Sequence, residues 1–301
     1  MSIYHEPVLL QQAIEGLAIK PDGLYVDCTF GGGGHAKAIA KMLGDNGRLF
    51  AFDQDADAAN NVPSDEDKIT FIPQNFQYAK KFLRLNGTKK VDGILADLGV
   101  SWHQFNTPER GFSIRFDESE LDMRMNQEME LTAKKVLNSY TKEQLMYVFK
   151  QYGELPNAYH IVNAIAAIRN KRTINTVGDL KRLTEPWVKG LQNKFYAQMF
   201  QALRIEVNKE MAALESLLTQ SVDLLNPEGR IVIIAYHSVE DRLVKNFFKK
   251  GSFDGQEDKD LYGNVTRFLK PVNKKVIVPS WQEIKQNPKA RSAKLRIAEK
   301  I

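Results

Sequence analysis

The chain has 301 residues, with 42 Lys and Arg against 37 Asp and Glu, a formal charge of +5, and it is 43% hydrophobic and 26% charged. That is the composition of a soluble globular protein long enough for one or two cores. One cysteine, Cys28, excludes an internal disulfide framework and any cysteine-cluster metal site, and no apolar run approaches the roughly 20 residues that cross a bilayer.

The opening MSIYHEPVLLQQAIEGL lacks a cationic start and carries Glu6 and Glu15, so no secretory signal is expected and the cytoplasm is the expected compartment. From Leu24 to Leu98 strand and helix signals alternate. LYVDCTF (24–30), RLFAFD (48–53), ITF (69–71) and VDGILADL (91–98) read as strands, while 34–43, the DADAANNV stretch and 76–85 read as helical. This alternation predicts parallel βαβ units with right-handed crossovers. Between about 105 and 207 the period becomes helical, at 131–152, 159–168, 177–191 and 195–207, which predicts an inserted helical domain. Met123, Met125 and Met129 are expected to fill its core. A strand returns at RIVIIAY (230–236), followed by a helix over 239–250 and a glycine-bearing mobile loop over 251–263; 265–269 and 275–278 are expected to form a terminal hairpin. The domain reading is 1–104 and 208–301 for the α/β part, ending in a basic tail, and 105–207 for the insertion.

Charge concentrates at the end. Pro227–Ile301 holds 16 Lys and Arg and 9 Asp and Glu. Such a surplus, with Lys289, Arg291, Lys294, Arg296 and Lys300 close together, suits a polyanion, or else an ordinary solvated face.

The most informative stretch is Asp27-Cys28-Thr29-Phe30-Gly31-Gly32-Gly33-Gly34-His35. Glycines after a first strand allow a tight turn and close approach of a ligand, and the helix that follows aims its free N–H groups at it. Asp53 stands 22 residues after Gly31, at the end of the second strand, where an acid accepts the ribose hydroxyls of a nucleoside. Gly31-x-Gly33-x-x-Ala36 also fits the dinucleotide fingerprint, so NAD(P) competes. Asp27 discriminates: a carboxylate there suits the cationic amino-acid end of S-adenosylmethionine and repels a pyrophosphate. Asp97 closes the fourth strand beside the same crevice, where it could take a substrate amine's proton or hold the cofactor's amino group. After the fifth strand, Ser238 and Asp241 resemble a capping box, and His237 is either a buried imidazole or a group that contacts base or relays a proton. No histidine spacing suggests a metal site.

The set HEPVLLQQAIEGL, DCTFGGGGH, FAFDQD, DGILADLGVS, PERGFS, LDMRM, FQALRIEVN, GRIVIIAYHSVEDR and NPKARSAKLRIAE, in this order over nearly the whole chain, resembles the bacterial 16S ribosomal RNA (cytosine-N4) methyltransferases, the RsmH or MraW family. The resemblance implies an α/β, Rossmann-like class I S-adenosylmethionine-dependent methyltransferase sheet with an inserted all-helical domain for substrate recognition. It implies N4-methylation of a decoding-region cytidine, 16S rRNA and the small ribosomal subunit as partners, no membrane, and room for a homodimer. Carried over by position, its cofactor contacts are Gly33, Gly34, His35, Asp53, Phe76, Asp97 and Gln104, beside Asp27 and Gly31 from the residues themselves. Asp97 and His237 are the catalytic candidates. This chain departs from the family's G-V-S-S-P-Q-L at Gly99–Phe105, from Y-G-E-E at Tyr152–Leu155, and from F-H-S-L-E-D-R at Tyr236–Arg242, where tyrosine stands for phenylalanine. No covalent adduct with the base is expected, because Cys28 precedes the glycines. Competing readings are an NAD(P)-dependent oxidoreductase and a non-catalytic RNA-binding assembly factor.

Overall fold

Short runs rich in Val, Ile, Leu and Phe pair into one seven-stranded sheet in the computed structural model, which describes residues 7–64, 67–256 and 267–301. In chain order the elements are α1 (Leu10–Leu17), β1 (Leu24–Asp27), α2 (Gly34–Met42), β2 (Arg48–Phe52), β3 (Ile69–Ile72), α3 (Ala79–Leu85) and β4 (Val91–Asp97). Six helices follow: α4 (Trp102–Asn106), α5 (Ala133–Ser139), α6 (Lys142–Tyr147), α7 (Ala158–Arg169), α8 (Val177–Thr184) and α9 (Gln192–Asn208). The chain ends with α10 (Glu210–Leu224), β5 (Leu225–Ala235), α11 (Ser238–Lys250), β6 (Leu269–Pro271), α12 (Trp281–Gln286) and β7 (Lys294–Lys300). Contacts divide the chain into two units, Met1–Gly99 with Ala212–Ile301, and Val100–Met211.

In the first unit the strand order is β3-β2-β1-β4-β5-β7-β6. Strands β1 to β5 are parallel, and β7 runs antiparallel beside β5, with Ile231 opposite Ala298. Ile231, Val232, Ile233 and Ile234 are all fully buried, because both faces of the sheet are covered and alternation is lost. One of those faces packs Leu9, Ala13, Leu17 and Ile39 onto Leu95 and Val232. Order reverses between β1 and β4, so the crevice beyond their carboxyl ends is where a sheet of this type receives a ligand.

Three local expectations change. The DADAANNV stretch is one 3₁₀ run, Ala56–Asn61, started by the Asp55 side chain and stopped ahead of Pro63. Leu269–Pro271 and Ile277 do not pair with each other: each pairs with β7, the segment read as a basic tail. Leu295 and Ile297 alternating with Lys294 and Arg296 carry the period of a half-buried strand, masked by its charge. The loop expected over 251–263 and the strand start at 265–266 fall partly or wholly outside the described residues.

The second unit is helical around Val136, Phe149, Ile165, Met199 and Leu203. Met123 and Met125 lie in this core and Met129 is half-buried. The LDMRM segment is tied in by polar groups. Asn208 Oδ1 accepts from Met125 N (2.7 Å), and Asn208 Nδ2 donates to Met123 O (2.8 Å) and Arg204 O (2.9 Å). Arg110, also buried, donates to the carbonyls of Arg124 and Met125. Asn208→Ala leaves the Met125 amide and the Met123 carbonyl without these partners. It is expected to lower stability by about 2–3 kcal/mol, seen as a lower urea midpoint. A midpoint equal to the parent's shows that the segment is held without Asn208.

Candidate active site

Neighbouring strands β2, β1, β4 and β5 end side by side, and each end carries a polar group: Asp53 just past β2, Asp27 on β1, Asp97 on β4 and Tyr236 just past β5. The register places Asp27 opposite Ala51 and Leu95, and Asp97 opposite Ile234. Sheet pairing therefore brings together residues up to 209 positions apart in the chain.

The loop after β1 turns on glycines at the left-handed conformation, Gly31 (φ 49°) and Gly33 (φ 74°). A side chain at Gly34 would meet Pro7 at 2.3 Å, whereas Gly32 faces open space. Gly31 N donates to Asp53 Oδ2 and Asp55 N to Asp53 Oδ1, both at 2.8 Å, so the acid braces the glycine loop. No side chain caps α2, and its first N–H groups, from Gly34 onward, sit at the positive end of the helix.

Asp27 is 1% exposed. Its Oδ1 accepts from Thr29 N (3.0 Å), and its Oδ2 has no hydrogen-bond partner among the described residues. Burial raises its pKa to about 6, against the nearby His35, which lowers it. Burial likewise lifts Asp53 to about 6, opposed by the amides of Asp55 and Gly31. Asp97 is lifted to about 7 by burial, with the Tyr236 hydroxyl pulling it down and Glu240 pushing it up. Its side chain keeps 22% exposure, so it remains reachable. An orphaned carboxylate oxygen between two other strained acids is a site built for a cation.

His35 is buried, and burial lowers its pKa, so the ring is neutral near pH 7. Nε2 lies 3.1 Å from the Val8 carbonyl and must carry the hydrogen. Bare Nδ1 then faces Asp97 Oδ2 at 3.7 Å. On the other oxygen the Tyr236 hydroxyl donates to Asp97 Oδ1 at 2.7 Å. The Asp97 N–H donates to Thr29 Oγ1, also at 2.7 Å.

The cap of α11 differs from expectation. His237, not Ser238, is the N-cap: Nδ1 accepts from Glu240 N (3.3 Å), and Glu240 Oε2 accepts from Tyr236 N (2.9 Å) and His237 N (3.4 Å). Ser238 becomes the first helical residue. Asp241, expected as its partner, instead binds Arg296 (2.7 Å) and Lys294 (3.4 Å). His237 Nε2 lies 3.0 Å from Glu240 Oε1 without hydrogen-bond geometry.

Phe76 is half-buried at the start of a 3₁₀ turn after β3, N-capped by Asn75. Gln104 belongs to the second unit, where it is 4% exposed and closes a capping box with Ser101 at the start of α4. Cys28 is buried, and burial drives its thiol pKa up, which makes it inert as a nucleophile. Sequence reasoning missed the Tyr236 and Thr29 hydroxyls. The only available signal was a tyrosine where the family pattern has phenylalanine.

An antiparallel β7 beside β5 departs from the all-parallel dinucleotide sheet, and the acid before the glycines is buried and unpaired, so the NAD(P) reading finds no support. Residues 2–301 match the MraW methylase family. A Flavobacterium johnsoniae protein named Ribosomal RNA small subunit methyltransferase H is 54% identical over 299 residues, 99% of this chain and 98% of its own. A Parabacteroides distasonis protein of the same name is 52% identical over 302 residues, 100% and 98% of the two chains. The crystal structure of an rRNA methylase from Streptococcus thermophilus aligns with TM-score 0.43 and 11% identity over 100% of this chain and 99% of its own. The sheet, with parallel strands β1 to β5 and its order reversed between β1 and β4, is Rossmann-like, and the helical unit is inserted in the chain after β4. With a match along its entire length and relatives more than half identical to it, this chain belongs to the MraW methylase family and is a methyltransferase.

Proposed function

We propose that the chain methylates the exocyclic N4 of a decoding-region cytidine in 16S rRNA of the small ribosomal subunit, with S-adenosylmethionine as donor. The observation that carries the donor assignment is the unpartnered, buried Asp27 Oδ2 beside Asp53 and Asp97, under an uncapped helix start. The names of the curated relatives support the rRNA substrate, and the motif resemblance supports cytosine N4.

The residues fit the donor. Asp27 would hold its ammonium group, and Asp53 its ribose hydroxyls. Gly31, Gly33, Gly34 and His35 would cradle its amino-acid end at the start of α2, and Phe76 would stack on adenine. When bound, S-adenosylmethionine supplies a methyl group made electrophilic by the sulfonium.

Cytosine N4 is a weak nucleophile because its lone pair is delocalised into the ring. Asp97 therefore draws the amine toward the carboxylate and accepts its proton, a task suited to an acid whose pKa is about 7. The target base must be unpaired or flipped out of its stack. The helical unit is the substrate-recognition element of this reading, and the basic carboxyl-terminal region meets phosphate. His237 serves as the cap of α11.

Asp97→Asn is expected to cut methyl transfer to small subunits by about 100-fold or more at saturating donor, while Cys28→Ala keeps turnover. Labelled donor measures both, and near-normal turnover of Asp97→Asn removes it as the acceptor.

His237→Ala is expected to cost about 1 kcal/mol, and His237→Asn to restore the cap. Denaturation curves read the cap. An Asn variant as stable as the parent yet inactive shows that the imidazole itself takes part in the chemistry.

The three acids also set a pH dependence. Their folded-state pKa values lie above the ordinary 3.8, so between about pH 4 and 7 the ligand-free fold binds more protons than the unfolded chain. Its stability falls as pH rises through that window. Donor affinity moves the opposite way, because the ionised acids hold a cation. Calorimetry is expected to find S-adenosylmethionine binding tightened about tenfold from pH 5 to 7. A flat dependence shows that these carboxylates do not hold the cation.

A further inference from the structure

Asp97 has two chemically different oxygens. Oδ1 is taken by the Tyr236 hydroxyl at 2.7 Å, while Oδ2 faces the bare Nδ1 of His35 at 3.7 Å, beyond hydrogen-bond reach. Tyr236 is itself fixed: its backbone N–H donates to Glu240 Oε2, and its ring lies against Gly99, 3.4 Å from where a Cβ would stand. A phenol whose backbone is pinned at a helix cap cannot readily swing away.

We propose that Tyr236 is a positioning residue for methyl transfer: its hydroxyl holds Asp97 Oδ1 and leaves Oδ2 as the one oxygen that takes the proton of the reacting amine. This rests on Asp97 being the acceptor. As the new N–C bond forms, the donor's S–C bond breaks with its electron pair left on sulfur, and the amine proton passes to Oδ2 and then to water. The hydroxyl stays a donor throughout, because burial and the adjacent Asp97 and Glu240 carboxylates disfavour its ionisation.

Among the described residues, the titratable groups facing this pair come from four elements. They are His35 on α2, Asp27 on β1, Glu240 on α11 and Glu283 on α12. Three of the four are carboxylates, which oppose a charge on Asp97. The Tyr236 hydroxyl is the hydrogen-bond donor that offsets them. Phenylalanine at this position in the family pattern makes the exchange one of a single oxygen atom. The present chain thus has an acceptor tuned to ionise at lower pH than a phenylalanine neighbour would permit.

Tyr236→Phe tests this with two independent readouts. Carbon NMR of labelled aspartate, with the Asp97 signal identified by its loss in Asp97→Asn, is expected to show Asp97 titrating about one pH unit higher in the variant. Single-turnover methylation of small subunits is expected to show the acid limb displaced upward by the same amount. That is roughly a tenfold lower rate at pH 6 that recovers toward the parent's above pH 8, with the substrate KM unchanged. A 3-fluorotyrosine at 236, a stronger donor, is expected to move both curves downward.

Superposable Asp97 titrations in parent and variant overturn the proposal. So does a rate loss equal at every pH and matched by a lower melting temperature, which marks a merely structural tyrosine. A displaced titration with no acid limb in the parent's own rate profile keeps the tyrosine–aspartate coupling but overturns Asp97 as acceptor, separating the two readings.

Discussion

Parallel pairing of β2, β1, β4 and β5 is the constraint from which the site follows. It lines up strand ends so that Asp53, Asp27, Asp97 and Tyr236 fall in a row, and the reversal of order between β1 and β4 opens a crevice at that row. Burial then disfavours the charged form of each carboxylate. The fold tolerates these acids by giving them amide and hydroxyl partners, and it leaves one oxygen of Asp27 unmatched among the described residues. Apolar side chains at these positions would make a more comfortable sheet end. Retaining three acids makes sense where a cation completes the arrangement.

The glycine loop is subordinate to the same geometry. Gly31 and Gly33 take left-handed conformations, and the Gly31 amide bonds to Asp53 of the neighbouring strand end. The loop is thus shaped by an acid that also belongs to the binding row. A change at Asp53 would therefore disturb the cradle as well as the ribose contact assigned to it, and loss of donor affinity alone cannot separate the two effects.

Features governed by local chemistry were legible in the sequence. The alternation of strands and helices, the glycine turn, the strand-end acids and the helical period of 131–207 each reflect rules that act within a few residues. What escaped was non-local or disguised. The Tyr236–Asp97 bond joins residues 139 apart, and nothing near either position announces it. Strand β7 was hidden because lysine and arginine alternate with its buried residues, and two of these cations are held by Asp241 of α11. His237 was overlooked as a cap because imidazole is not among the usual capping side chains, and Ser238 next to it is. Gln104 entered through the resemblance alone, and nothing in its local sequence announced its burial. Its side-chain oxygen accepts from Ser101 N and its own N–H donates to Ser101 Oγ, a reciprocal cap that holds it at the start of a short helix.

The cap of α11 and the charge balance of Asp97 depend on one carboxylate. Glu240 takes the backbone N–H of Tyr236 and of His237, and its charge bears on Asp97. Starting α11 at this point therefore fixes the tyrosine whose hydroxyl meets Asp97, while adding a nearby negative charge that makes Asp97 harder to ionise. The two effects oppose each other: the capping acid pushes the Asp97 pKa up and the hydroxyl it positions pulls it down. A phenylalanine at 236 would keep the push and lose the pull. In the proposed reaction, where Asp97 takes a proton from a weakly nucleophilic amine near neutral pH, that balance is set by one oxygen atom just past the end of β5.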